Sequence, residues 1–162
     1  MAIQSKFLLQ FLDECLQVER SGKDLYDGAI SRCGDAAIKQ RLVVFRDQTA
    51  QHVNIIEQLI VHFGGRISTL KEQMASVLGK MTSGLSAVQG TGDYQQWKDL
   101  DNLLTAEYKD HSNWKILKTV SAVLQDNVLT QAVDKVEAEE DEHVGWLEGQ
   151  VTLRAPHAIT AS

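Results

Sequence analysis

Apolar residues recur at alternating three- and four-residue steps through four long stretches of the chain. In residues 5 to 32 the stripe runs Leu8, Leu12, Cys15, Glu19, Gly22, Tyr26 and Ala29, a spacing that puts all seven on one face of a helix. Residues 35 to 62 repeat it with Ile38, Leu42, Phe45, Thr49, His52, Ile56 and Leu59, and stop at Gly64-Gly65, a pair suited to ending a helix. A third helix is predicted over about 93 to 121 with Leu100, Leu103, Glu107, Trp114 and Leu117 on its face. A fourth, over about 126 to 153, carries Val133, Val136, Glu140, His143 and Leu147. Each helix places a polar residue near its middle, on the side meant for the core.

The segment between the second and third helices, "GRISTLKEQMASVLGKMTSGLSAVQGTGD", is richer in Gly, Ser and Thr but keeps Leu70, Met74 and Val77 at helical spacing. It reads as a crossover with a short helix of its own. Two hairpins and one long connection make an all-α, antiparallel four-helix bundle. Residues 1 to 153 are expected to form a single domain. Residues 154 to 162, "RAPHAITAS", are expected to be a flexible tail.

Composition agrees with this. The only proline is Pro156, so nothing upstream forbids long helices. At 162 residues with 43% hydrophobic residues, the chain can bury one core. Net charge is −6 and the sequence pI is near 5.3. Acids and bases are mixed along the chain, which argues against nucleic acid and anionic membranes as partners. No apolar run approaches the roughly 20 residues of a spanning helix and none resembles a signal peptide, so a cytoplasmic protein is expected. Cys15 and Cys33 are too few for a disulfide framework.

The two hairpins also repeat each other. "HVNIIE" at 52 to 57 and "HVGWLE" at 143 to 148 share His-Val-x-x-aliphatic-Glu. Glu19 precedes His52 by 33 residues and Glu107 precedes His143 by 36, a difference that a three-residue change in the hairpin loop absorbs. Seven residues after each first-helix Glu stands a large aromatic, Tyr26 in one half and Trp114 in the other. Pseudo-twofold symmetry is the simplest explanation. Inward carboxylates cannot be left bare in a packed core, because desolvating an unpaired ion costs more than folding can usually offset. Glu140-x-x-His143 sets a carboxylate and an imidazole one turn apart. Such helices facing two further Glu-bearing helices can hold a pair of divalent metals. Mixed oxygen and nitrogen ligation suits iron or manganese, with zinc as an alternative occupant.

At this point the sequence resembles the ferritin-like superfamily of di-iron carboxylate proteins, which includes bacterioferritins, rubrerythrins and small stress-associated relatives. Glu19, "TAQH" leading to His52, "AEY" with Glu107, and "EDEH" with Glu140 and His143 carry the resemblance over about residues 5 to 152. It implies two iron ions, with Glu19 and His52 serving one, Glu107 and His143 the other, and Glu140 bridging both. Tyr26 resembles a tyrosine that several relatives keep near the metals, and Tyr26 and Trp114 would be able to supply a further electron. The implied activity is an oxidoreductase reaction of ferroxidase or peroxidase type on Fe(II), dioxygen or peroxide. A homodimer is expected.

The departure from the pattern is Thr49, where a second bridging Glu belongs. Glu19, Glu107 and Glu140 supply three negative charges against the four of two divalent ions, an imbalance that is costly in a low dielectric. A hydroxide or exogenous carboxylate beside Thr49 would compensate, or the site would hold one metal; His111, four residues after Glu107, is a candidate added nitrogen ligand that brings no negative charge. Gln48 and Gln51 point about 100° and 160° away from the stripe, so neither substitutes easily. The alternative is a non-catalytic bundle with a degenerate or single-metal site, acting structurally or through a protein partner.

Overall fold

The structure, a computed structural model, describes residues 6–67 and 92–160. They form four helices, α1 (Lys6–Arg32), α2 (Ala36–His62), α3 (Gly92–Leu124) and α4 (Asn127–Thr160), and no strand among the described residues. The short helix expected around Leu70 to Val77 lies outside the described residues.

Side-chain and backbone caps set the helix ends. Asp35 caps α2 by accepting from the N–H groups of Ala37 and Ile38, two of the four that a helix start leaves without partners. At the other end Gly64 takes φ 79°, its N–H meets the Val61 carbonyl at 3.0 Å, and the Gly65 N–H meets that of Ile60 at 2.8 Å. This double bond pattern satisfies the last carbonyls and needs a left-handed residue at its first position. Gly65 also lies close to α1: a Cβ there would come within 2.7 Å of Leu9 Cδ2 and 2.9 Å of Ile60 Cγ2, so a larger residue would have to displace these side chains. Between α3 and α4, Asp126 Oδ1 accepts from the Leu129 N–H at 2.9 Å, while Oδ2 holds His62 at 2.9 Å and ties the end of α2 to this turn.

α1 packs on α2 and α3, and α4 on α3 and α2. Tyr26 lies against Glu107 while Trp114 lies against Glu19, so α1 and α3 run antiparallel. Two apolar clusters fill the bundle. One joins Leu12, Cys15, Leu16, Ile56, Leu59, Trp114, Leu117, Leu129, Val133 and Val136. The other joins Tyr26, Ile38, Leu42, Phe45, Leu100, Leu103 and Leu147. Along every helix the polar residues fall between the two: Glu19 between Leu16 and Tyr26, Thr49 and His52 between Phe45 and Ile56, Glu107 between Leu103 and Trp114, Glu140 between Val136 and Leu147. No described helix is long and apolar enough to cross a membrane.

The C-terminal segment departs from the expected loose tail, since α4 continues to Thr160 with Pro156 inside it. Pro156 removes one backbone hydrogen bond, and tertiary contacts offset the loss. Ala158 is buried, His157 Nε2 meets Asp93 Oδ2 at 2.9 Å, and Arg154 reaches Asp35 at 3.7 Å. The segment is thereby docked on the start of α3 and the α1–α2 turn. Truncation after Leu153 should therefore lower Tm by at least about 2–4 °C, the shift that roughly 1 kcal/mol produces at this size. An unchanged melting curve in differential scanning calorimetry would show that the segment contributes nothing.

Candidate metal centre

The polar layer between the two apolar clusters converges from all four helices. Glu19, His52, Glu140 and His143 are 0% exposed and Glu107 4%. His52 Nδ1 lies 3.4 Å from Glu19 Oε1 and 3.1 Å from Glu140 Oε1. His143 Nδ1 lies 3.4 Å from Glu107 Oε1 and 3.5 Å from Glu140 Oε1. Two groups result, Glu19–His52–Glu140 and Glu107–Glu140–His143, each with ligand atoms mutually within 4.8 Å. Glu140 belongs to both. The five residues expected as metal ligands meet at one place.

These atoms lack the partners that burial demands. Both oxygens of Glu140, one of Glu19, one of Glu107 and the Nδ1 atoms of both histidines are buried without a hydrogen bond. Native proteins rarely leave such groups unsatisfied without an unfilled role for them. A pair of divalent cations fits this donor set, since three carboxylates and two imidazoles turned inward are the ligands that iron and manganese accept.

The surrounding contacts cross between the halves. Trp114 Nε1–H donates to Glu19 Oε1 at 2.7 Å, and the Tyr26 hydroxyl donates to Glu107 Oε1. Each aromatic thus holds the carboxylate of the opposite repeat. The imidazoles are held in the same crossed way, with His52 Nε2 2.6 Å from Glu139 Oε2 and His143 Nε2 2.9 Å from Gln48 Oε1. An acceptor at Nε2 fixes the ring tautomer and leaves Nδ1 free to face the centre. The two rings lie 6.0 Å apart, stacked at 25°.

Three features went beyond the sequence reading. Gln48, expected to point away, reaches His143 because it leans toward the neighbouring α4 instead of the bundle axis. Glu139 does the same for His52. The signal was present in the repeat, since Gln48 precedes Thr49 as Glu139 precedes Glu140. Asp110, one turn after Glu107, is a further buried carboxyl, 5% exposed, and hydrogen-bonds Glu19. It occupies in α3 the place that Gly22 occupies in α1.

Thr49 is 2% exposed and its hydroxyl is unpartnered. Across from it, a Cβ on Gly22 would touch only Thr49 Cγ2, at 3.9 Å. Two small residues therefore face each other where the second bridging acid is absent. His111 belongs to neither ligand group, and its Nε2 lies 2.7 Å from Asp141 Oδ1, so it is paired on another side of α3. Gln51 is exposed and accepts from Lys135 at 3.4 Å.

Burial governs the protonation of the acids. It raises Glu19 to about 8, against hydrogen bonds from Trp114 and Asp110 that pull the other way. Glu140 is pushed well above the ordinary carboxyl value by burial and by the charge of Glu107. Asp110 is raised by burial and by Glu19. Burial would raise Glu107 too, but its contacts with His143, Glu140 and Tyr26 outweigh that and leave it lowered.

No protein-family model matches the chain, and no curated protein does. Solved structures match over nearly its full length. A ferritin-like, diiron-carboxylate protein from Bacillus anthracis str. Ames superposes with TM-score 0.71 at 17% identity, covering 93% of this chain and 99% of that one. A protein from Xanthomonas campestris pv. campestris reaches TM-score 0.76 at 16% identity, covering 96% of each chain. The fold is ferritin-like, and at these identities the likeness concerns the fold alone.

The raised carboxyls make the metal-free protein pH-sensitive in a definite direction. Glu19 ionises near its ordinary 4.5 when unfolded and about 8 when folded, so folding takes up a proton between those values. That stabilisation is complete below the lower value and is lost as pH rises toward the upper; Glu140 adds to it. The Tm of metal-free protein should fall from about pH 5 to pH 8, and Glu140→Gln should flatten the fall. An equal pH slope in the variant, measured by circular dichroism, would remove Glu140 from the cause.

Proposed function

We propose that this bundle holds two divalent metal ions, iron in its working form, and acts in the oxidation of Fe(II) by dioxygen or peroxide. The observation that carries the reading is Glu140, which belongs to both ligand groups and has no hydrogen-bond partner at either oxygen. A carboxylate common to both groups would be shared between the two cations. Glu19 with His52 would complete one position and Glu107 with His143 the other. Binding requires Glu19 and Glu140 to give up protons that burial makes them keep, so affinity should rise with pH.

Bound iron would supply the electrons that reduce dioxygen or peroxide. The chain's own residues would hold the centre and pass charge to it. The Tyr26 hydroxyl donates to Glu107 Oε1, so a phenol that gives up an electron has a proton acceptor already in contact. Trp114 has the same relation to Glu19. Thr49 and Gly22 leave the side opposite Glu140 without a carboxylate, which is where a small exogenous anion or dioxygen would meet the centre.

Anaerobic titration of the metal-free protein with Fe(II) should saturate near two ions per chain, and admission of air should then produce a ferric oxo absorption. Glu140→Ala should abolish the two-ion stoichiometry. Normal Fe(II) binding by that variant would overturn the reading. Thr49→Glu adds the fourth carboxylate into the space beside Gly22, so it should tighten metal binding and slow the reaction with oxygen; weaker binding in a folded variant would contradict the charge argument.

A further inference from the structure

The two halves of the repeat back their histidines with unlike residues. His52 is backed at Nε2 by the carboxylate of Glu139, 2.6 Å away, whereas His143 is backed by the neutral amide of Gln48 at 2.9 Å. The two backing residues occupy equivalent positions, each immediately before the residue that faces the centre. Glu139 is well shielded, its side chain 21% exposed, and its one ion-pair partner among the described residues is His52. The outer carboxylates are held alike, Glu19 by Trp114 and Glu107 by Tyr26, so the difference lies behind the imidazoles.

Resting on the two-metal reading above, we propose that the two positions are unequal: the one formed by Glu19, His52 and Glu140 takes the first ion tightly, and the one formed by Glu107, Glu140 and His143 takes the second weakly. An anion behind an imidazole raises the basicity of its other nitrogen and stabilises the cation bound there. An amide accepts the same hydrogen bond but adds no charge. The first ion therefore meets Glu19, Glu140 and an imidazole backed by an acid. The second shares Glu140 and meets Glu107 and an imidazole backed only by an amide.

The neutrality of Gln48 thus weakens the position formed by Glu107, Glu140 and His143. The chain would pass through a state with one resident ion and an open second position.

Stepwise anaerobic titration of the metal-free protein with Co(II), followed by absorption and calorimetry, tests this without any turnover. The wild-type chain should bind two ions with affinities separated by about 10–100-fold, the range that such backing residues command. Glu139→Gln should weaken the first step by about that factor and bring the two together. Gln48→Glu should strengthen the second step and also narrow the gap, which keeps the test open if the first variant fails to fold. Two equal affinities in the wild type, or a Gln48→Glu variant with an unchanged second step, would overturn the inequality while leaving the two-metal reading intact. Absence of any binding by folded wild-type protein would overturn that reading and the inequality with it.

Discussion

Glu140 puts both carboxylate oxygens into the middle of the bundle, where neither finds a hydrogen-bond donor. Burial of an unpaired ion is unfavourable by far more than one side chain's packing can offset, so the group must hold a proton or meet a cation. The rest of the structure is arranged around this constraint. Apolar clusters close the layer off at both ends, which removes water as a partner. Four antiparallel helices bring Glu19, His52, Glu107 and His143 to the same level. Trp114 and Tyr26 fix the two outer carboxylates, each from the opposite half. Without a cation, burial and mutual repulsion favour the protonated forms of Glu19, Glu140 and Asp110.

The duplication explains the crossed contacts. Two hairpins related by a pseudo-twofold axis place each aromatic beside the other hairpin's glutamate, and each residue before the bridging position beside the other hairpin's histidine. Such a design is expected to treat two ions alike. The chain departs from it on one segment of α2, where Gln48 and Thr49 stand opposite Glu139 and Glu140, and also where Gly22 stands opposite Asp110. Charge is thereby concentrated on α3 and α4. The substitutions leave the geometry of the imidazoles in place, because Gln48 still accepts from His143, while changing the electrostatics behind one of them.

Much of this was legible in the sequence. The helical stripes located α1 and α2 to within a residue of their ends, helped at the end of α2 by the stop signal Gly64-Gly65. Glu19, His52, Glu107, Glu140 and His143 could be singled out because each falls in phase with an apolar stripe. The end of α4 could not be found that way. Pro156 is a local stop signal, and the contacts that override it, at Ala158, His157 and Arg154, come from parts of the chain more than 60 residues away. Gln48 and Glu139 were missed for a related reason: their positions on a helical wheel point off the axis, and only the closeness of α2 to α4 turns them onto the histidines. Asp110 sits one turn from Glu107 but breaks the repeat, so comparison of the two halves passed over it.

The claim on which everything else rests is that Glu140 joins two cations in one buried centre. A crystal structure of the protein loaded with Fe(II) or Mn(II) under anaerobic conditions, with the ions located by anomalous scattering, addresses it most directly. The expected result is two anomalous peaks, with Glu140 shared between them, Glu19 and His52 on one ion, and Glu107 and His143 on the other. A single ion that leaves one half of the ligand set empty at saturating metal, or ions bound away from Glu140, would contradict it.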